Sequence, residues 1–135
     1  MTAIGGCLCG AVRFEADDVD THVHGCHCSM CRNWSGGPML ACSVGSVRFT
    51  GDAHIRRYDS SAWAERGFCE VCGSNLFYRL KEGDRYILCV GAFDDESVFE
   101  LVGEIYVDEK PPGYAFAGDH PRQTGEEFLA SLKGA

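Results

Sequence analysis

Six consecutive residues, Cys26-His27-Cys28-Ser29-Met30-Cys31, constrain this chain more than any other stretch. They bring three thiols into one short segment. In the C-x-C half, an extended backbone sends both sulfurs to one side, because side chains on a strand alternate with period two. In the C-x-x-C half, a tight turn brings the third sulfur back towards the same point. Tetrahedral zinc takes four ligands, and a site with three protein ligands and one open position is the catalytic type. The triplet supplies three. The fourth position is the question put to the rest of the chain.

The remaining cysteines answer part of it. There are nine in 135 residues. The count is odd, and Met1-Thr2-Ala3-Ile4-Gly5-Gly6 has no basic segment followed by an apolar run. Both points speak against a secreted disulfide framework and for metal ligation in a reducing cytoplasm. Seven of the nine sit in knuckles: Cys7 and Cys9, then Cys26, Cys28 and Cys31, then Cys69 and Cys72. Two pairs make the four sulfurs of a closed tetrahedral site, whereas the triplet with one pair makes five. The economical partition is Cys7, Cys9, Cys69 and Cys72 in a closed site and the triplet in an open one. The closed site would tie the N-terminal strand to the middle of the chain and contribute directly to folding. Cys69-x-x-Cys72 read alone is a thioredoxin-type redox pair, but no βαβ unit follows it.

Candidates to complete the triplet are His24, His27, Cys42 and Cys89. His27 lies between the two cysteines of a C-x-C, so on a strand it faces the other way. Cys42 and Cys89 fall in apolar strand patterns and read as small buried hydrophobes. His24 is the least excluded of the four.

The length suits a single domain spanning residues 1–135. Its 17 glycines and scattered short apolar runs imply short strands and many turns. Strands are expected over residues 11–15, 22–24, 39–44, 47–50, 55–58, 75–80, 85–90 and 99–107. Asn33 to Pro38 reads as a loop on turn chemistry, and Pro111-Pro112-Gly113 ends the strand region. Thr124 with Glu127 forms a capping-box pattern ahead of one short helix that stops at Gly134. The fold class is mainly β. No apolar stretch is long enough to span a bilayer. A formal net charge of −8 disfavours a nucleic-acid partner, since Lys and Arg contacts to phosphates dominate such binding.

The motifs Gly6-Cys7-x-Cys9-Gly10-x-Val12-Arg13-Phe14, Cys26-His27-Cys28-Ser29-x-Cys31-Arg32, Tyr58-x-Ser60-Ser61 and Arg66-x-Phe68-Cys69-x-x-Cys72-Gly73-Ser74-x-Leu76 stand in this order. With Gly91-x-Phe93-Asp94-Asp95 and Val107 to Pro111, the chain resembles the glutathione-dependent formaldehyde-activating enzyme family, whose domain also occurs in centromere protein V. The likeness covers nearly the whole chain. Two departures stand out: Glu104-Ile105 where a His-Ile pair is expected, and Gly113-Tyr114 where a tryptophan often follows the proline.

The resemblance implies a β-tent fold of folded antiparallel sheets and two zinc ions per chain. A structural zinc would sit at Cys7, Cys9, Cys69 and Cys72, and a catalytic one at Cys26, Cys28 and Cys31. It implies a carbon–sulfur lyase that adds glutathione to formaldehyde to give S-hydroxymethylglutathione, or runs the reverse reaction. Glutathione is an anion, so cations near the pocket are needed. Arg32, Arg57 and Arg66 are the candidates, with Ser60 and Ser61 as hydrogen-bond donors and Trp34 as a pocket wall. A reading of another class is a zinc-stabilised binding or scaffold module without turnover.

Overall fold

A computed structural model gives the fold, and it describes residues 1–133. Gly134, the expected helix stop, lies outside the described residues. The strands are β1 (Ala3–Gly6), β2 (Arg13–Asp17), β3 (His22–Cys26), β4 (Met39–Ser43), β5 (Ser46–Thr50) and β6 (Ile55–Asp59). They continue with β7 (Ala64–Cys69), β8 (Asn75–Leu80), β9 (Arg85–Cys89), β10 (Glu100–Ile105) and β11 (Arg122–Gln123). Among the described residues two short α-helices accompany them, α1 (Ser29–Ser35) between β3 and β4 and α2 (Gly125–Lys133) after β11. The protein is therefore mainly β with a short C-terminal helix, as the strand patterns predict. Among the described residues no helix is long and apolar enough to cross a membrane.

The chain forms two compact units. The first comprises Met1–Thr21 and Ala41–Phe99. In it β1, β2 and β5 make an antiparallel sheet. A second antiparallel run goes from the Ala41–Ser43 part of β4 through β9, β8 and β7 to β6. Period-two alternation explains β2: Phe14 and Ala16 are buried while Arg13, Glu15 and Asp17 face outward. On that outward face Arg48 of β5 pairs with Glu15 at 2.5 Å and Asp17 at 2.6 Å. The core is aromatic, with Phe14 edge-on to Phe93 at 5.2 Å and Phe77 edge-on to Tyr86 at 5.0 Å. Gly67 of β7 is dictated by this core. A Cβ there would stand 2.1 Å from the Phe77 ring, so only glycine admits the aromatic beneath it.

The second unit comprises His22–Leu40 and the chain from Glu100 onward. Here β10 lies parallel to β3 on one side and to β11 on the other. Parallel neighbours need long crossovers, and some seventy residues separate β3 from β10. The capping box forms as its sequence predicts: the Glu127 carboxylate accepts the Thr124 N–H at 2.9 Å, and Thr124 Oγ1 accepts the Glu127 N–H at 3.1 Å.

Three sequence expectations change. Asn33 to Pro38 is not one loop, because Ser29–Ser35 is helical and only the Gly-Gly-Pro that follows is irregular. Gly36, at φ 76°, is the left-handed C-cap, and its N–H returns to Arg32 O at 2.9 Å. The expected strands leave out residues 64–69, yet Ala64–Cys69 is β7, with Phe68 and Cys69 of the last knuckle at its end. Nor does Pro111-Pro112-Gly113 close the strand region, for β11 follows it. That strand has two residues and carries no pattern of its own.

Candidate functional site

The sulfurs of Cys7, Cys9, Cys69 and Cys72, all in the first unit, lie within 4.8 Å of one another. Cys7 and Cys9 follow β1, while Cys69 ends β7 and Cys72 sits in the turn beyond. Amides and a hydroxyl surround the cluster. The Val12 N–H points at Cys7 Sγ at 3.3 Å and the Val71 N–H at Cys69 Sγ at 3.4 Å. Ser74 Oγ lies 3.2 Å from Cys72 Sγ and also accepts the Leu8 N–H at 3.0 Å, so one hydroxyl bridges the two knuckles. The Ser74 hydroxyl and backbone N–H hold the Cys72 thiol down to about 5. Groups that donate to sulfur favour the thiolate, the form that binds metal. Four thiols at this spacing could hold a metal ion, and the donor set is that of a closed tetrahedral site.

The second cluster is Cys26, Cys28 and Cys31, again with all sulfurs within 4.8 Å. It straddles a strand end and a helix start. Cys26 is the last residue of β3, and Cys28 is the N-cap of α1 with extended φ −62° and ψ 154°. The C-x-C is thus extended, as its alternation predicts. The return of the third sulfur is a helical turn: the Cys31 N–H donates to Cys28 Sγ at 3.3 Å in the manner of a serine cap. The Cys28 thiol is pulled well below its usual range by hydrogen bonds from the Cys26 and Cys31 thiols. Hydrogen bonds with the Cys28 and Cys31 thiols push the Cys26 thiol up.

Among the described residues no His, Asp or Glu side chain joins the three sulfurs. His24 is exposed on β3, and its ring packs on the bare backbone of Gly103. Cys42 is 2% exposed on β4 across from Leu88, and burial pushes its thiol up to about 12. Cys89 ends β9 in the first unit, half-buried.

His27 is turned away from the triplet and is wholly buried, at 0% exposure. Its Nε2 meets Glu104 Oε1 at 2.7 Å and its Nδ1 meets Tyr114 Oη at 2.9 Å. Glu104 is itself 2% exposed. Its other oxygen takes His120 Nε2 at 2.5 Å and Arg122 Nε at 2.9 Å. Burial opposes the charge on Glu104, but the hydrogen bonds from His120 and His27 outweigh it and hold its carboxyl below the usual range. The sequence marks Glu104 and Tyr114 only as departures from the family pattern, and His120 not at all. The available signal was a charged residue inside the apolar run Leu101-Val102-Gly103-Glu104-Ile105.

The other candidates divide between the units. Arg32 is on α1 and donates from Nε to His27 O at 2.9 Å. Trp34 is half-buried on the same helix. Arg57, Arg66, Ser60 and Ser61 belong to the first unit. Arg57 binds Glu65 at 2.7 Å and Tyr86 Oη at 3.1 Å, and lies 4.9 Å over the Phe77 ring. Arg66 is 3% exposed with its guanidinium 5.1 Å from the Tyr78 ring. Ser61 Oγ accepts the Ala64 N–H at 3.1 Å. Ser60 Oγ is buried and lacks a hydrogen-bond partner among the described residues.

Comparison with known proteins places this arrangement. The family described as glutathione-dependent formaldehyde-activating enzyme matches residues 2–109. An uncharacterized lyase of Schizosaccharomyces pombe is 29% identical over 130 residues, covering 95% of each chain. A crystal structure of a Rhodobacter sphaeroides protein superposes with a TM-score of 0.58 at 20% identity, covering 88% of this chain and 98% of that one. The last likeness is one of fold.

Proposed function

The chain belongs to the glutathione-dependent formaldehyde-activating enzyme family, and from that premise we propose that it is a zinc-dependent carbon–sulfur lyase. The reaction is addition of a thiol such as glutathione to a small aldehyde such as formaldehyde, giving an S-hydroxymethyl adduct, or the reverse. Residues 1–135 act as one domain of this type. The lyase relative supports the reaction class, and cysteines grouped in metal-type knuckles support a reducing, cytoplasmic setting.

The observation that carries the reading is the three-membered sulfur group of Cys26, Cys28 and Cys31. A zinc ion held there would supply an open position that favours the thiolate form of an incoming thiol and draws charge from an aldehyde oxygen. The chain's residues do the rest. The thiol surrenders its proton, its sulfur forms a bond to the aldehyde carbon, and the former carbonyl oxygen takes up a proton. Three thiolates and a substrate thiolate concentrate negative charge at one point, and Arg32, next to Cys31, offsets it. Its Nε is spent on the His27 carbonyl, which fixes the guanidinium against the backbone of the C-x-C. Glutathione carries two carboxylates, so fixed positive charge and hydroxyl donors in reach are what its recognition requires. Ser60 is supported as a donor by its unpartnered buried hydroxyl, because such a group costs about 1–3 kcal/mol unless something binds it. Arg57, Arg66 and Ser61 already have internal contacts and stand behind Arg32 and Ser60 as proposed substrate contacts. The four-sulfur cluster is proposed as the structural zinc site.

Metal analysis of fresh protein during titration with glutathione tests the reading. Two zinc ions per chain, one perturbed by glutathione and lost in Cys28→Ser, are expected, with turnover of formaldehyde lost in the same variant. Two zinc ions indifferent to thiols would favour the non-catalytic scaffold instead.

A further inference from the structure

Every polar atom of His27 is engaged. Its backbone N–H donates to Ile105 O at 3.1 Å, and its carbonyl accepts from Arg32 Nε at 2.9 Å. Its ring nitrogens meet Tyr114 Oη and Glu104. Strand β10 therefore grips this one residue twice, through the Ile105 backbone and the Glu104 side chain. His27 is the middle of the C-x-C, so whatever fixes its position also fixes the angle between Cys26 and Cys28. A backbone hydrogen bond alone leaves rotation about the chain open. A second anchor through the ring removes it.

We propose that Glu104 is the positioning residue of the triplet: through its bond to the His27 ring it holds the Cys26, Cys28 and Cys31 sulfurs in the geometry that binds metal. The inference rests on the reading of the triplet as a metal site. A carboxylate suits the task because it only accepts hydrogen bonds. Both facing rings, His27 and His120, must then present Nε2–H, and Arg122 Nε adds a third donor. One His27 ring orientation satisfies this arrangement while leaving Nδ1 for the Tyr114 hydroxyl. A Gln at position 104 keeps the shape but turns an amide N–H2 towards one of those donors. That mismatch inside a buried network forces a ring or a strand to move. Outer partners of metal sites typically carry a 10–100-fold effect on metal affinity, and Glu104 acts one step further out through the backbone of the C-x-C.

The test is competition for zinc between the intact protein and a chromophoric chelator. Release is expected in two steps, the weaker assigned to the triplet by its absence in Cys28→Ser. In Glu104→Gln the weaker step should become weaker by about tenfold or more, and the stronger step, from the four-cysteine cluster, should not move. With cobalt in place of zinc, the sulfur-to-metal absorption of the triplet should shift while that of the other cluster stays. Glu104→Asp, which keeps the charge, should recover part of the affinity. General loosening of the fold would move both steps together and gain nothing from the Asp variant. If Glu104→Gln does not fold, Tyr114→Phe decides, because it frees His27 Nδ1 without touching the carboxylate; a smaller loss confined to the weaker step is expected. A triplet step and cobalt spectrum unchanged in the folded variants overturn the inference alone. A native chain that binds a single metal overturns the reading of the triplet and this inference with it.

Discussion

The two sulfur clusters share one donor chemistry and differ in the chain between their sulfurs. In the first, Cys9 and Cys69 stand sixty residues apart in sequence and 3.9 Å apart in space. Closing that contact fixes a long loop and joins the end of β1 to the end of β7. In the second, all three sulfurs come from one six-residue stretch that folds locally as a strand end and a cap. Loop-closure entropy grows with loop length, so a metal at the first cluster constrains far more chain than one at the second. A cluster that carries little of the fold is free to keep one ligand position for something else. Burial does not follow this division: each cluster mixes buried sulfurs (Cys7 and Cys69 in the first, Cys31 in the second) with less buried ones (Cys9 and Cys72, Cys26 and Cys28).

This contrast breaks most visibly in a pair of serine variants. Cys69→Ser removes a ligand from the long-range cluster. Structural zinc is worth about 10–16 kcal/mol, as much as a whole domain's stability of about 5–15 kcal/mol. Circular dichroism should therefore show no cooperative melt. Cys28→Ser should lose one zinc and all turnover, yet lower the melting point by only a few degrees, or about 1 kcal/mol. Equal melting points in the two variants would remove the distinction between a structural and a functional cluster.

What the sequence made legible follows the same line between local and long-range. The knuckles were readable because spacing within them dictates where sulfurs point. Strands such as Asn75–Leu80 and Arg85–Cys89 were readable because β-branched and aromatic runs state their own period. The partition into four and three was readable only as arithmetic on ligand number, and the spacing within each cluster agrees with it. Helix α1 was hidden because a cysteine takes the place of the usual Ser, Thr, Asp or Asn cap, and because Gly36-Gly37-Pro38 has the same letters whether it is a loop or a helix end. Strands β1 and β7 were hidden by the cysteine motifs that terminate them. The Glu104 network was hidden for a deeper reason. It joins residues 27, 104, 114, 120 and 122, and nothing in the local pattern of any one predicts the others. Two of them, Glu104 and Tyr114, are the positions that the resemblance marks as departures, and both side chains meet the His27 ring.

A smaller effect sharpens the functional side. Ser60→Ala removes an unpartnered buried hydroxyl. If that hydroxyl serves only the loop, the variant should be as stable as the native chain or slightly more so, since an orphaned polar group is unfavourable. If it donates to substrate, KM should rise roughly threefold to tenfold, the worth of one hydrogen bond at about 0.5–1.5 kcal/mol, with the melting point unchanged. Steady-state kinetics and a thermal melt on the same preparation separate the two. A lower melting point with unchanged KM contradicts both.

The finest distinction concerns acid. Ser74 is the hydroxyl that bridges the two knuckles of the first cluster, and it is the leading cause of the lowered Cys72 thiol at about 5. A thiol whose folded value is depressed contributes stability above its ordinary value of about 8.5. That stability is lost as pH falls through the folded value, because the unfolded chain binds the proton more readily. In Ser74→Ala the Cys72 thiol should move back up, so its contribution should disappear at a higher pH. Following zinc release against pH in a Cys28→Ser background isolates the first cluster. The midpoint should move upward in the double variant, and the slope below it should be unchanged. A midpoint that stays in place would mean that the metal alone holds Cys72 as a thiolate and that the hydroxyl bridge serves only to align the knuckles. The same substitution in a background that retains the triplet should leave the weaker, triplet-borne zinc untouched, because Ser74 has no counterpart there: the amide that faces Cys28 comes from Cys31, one turn along the same helix.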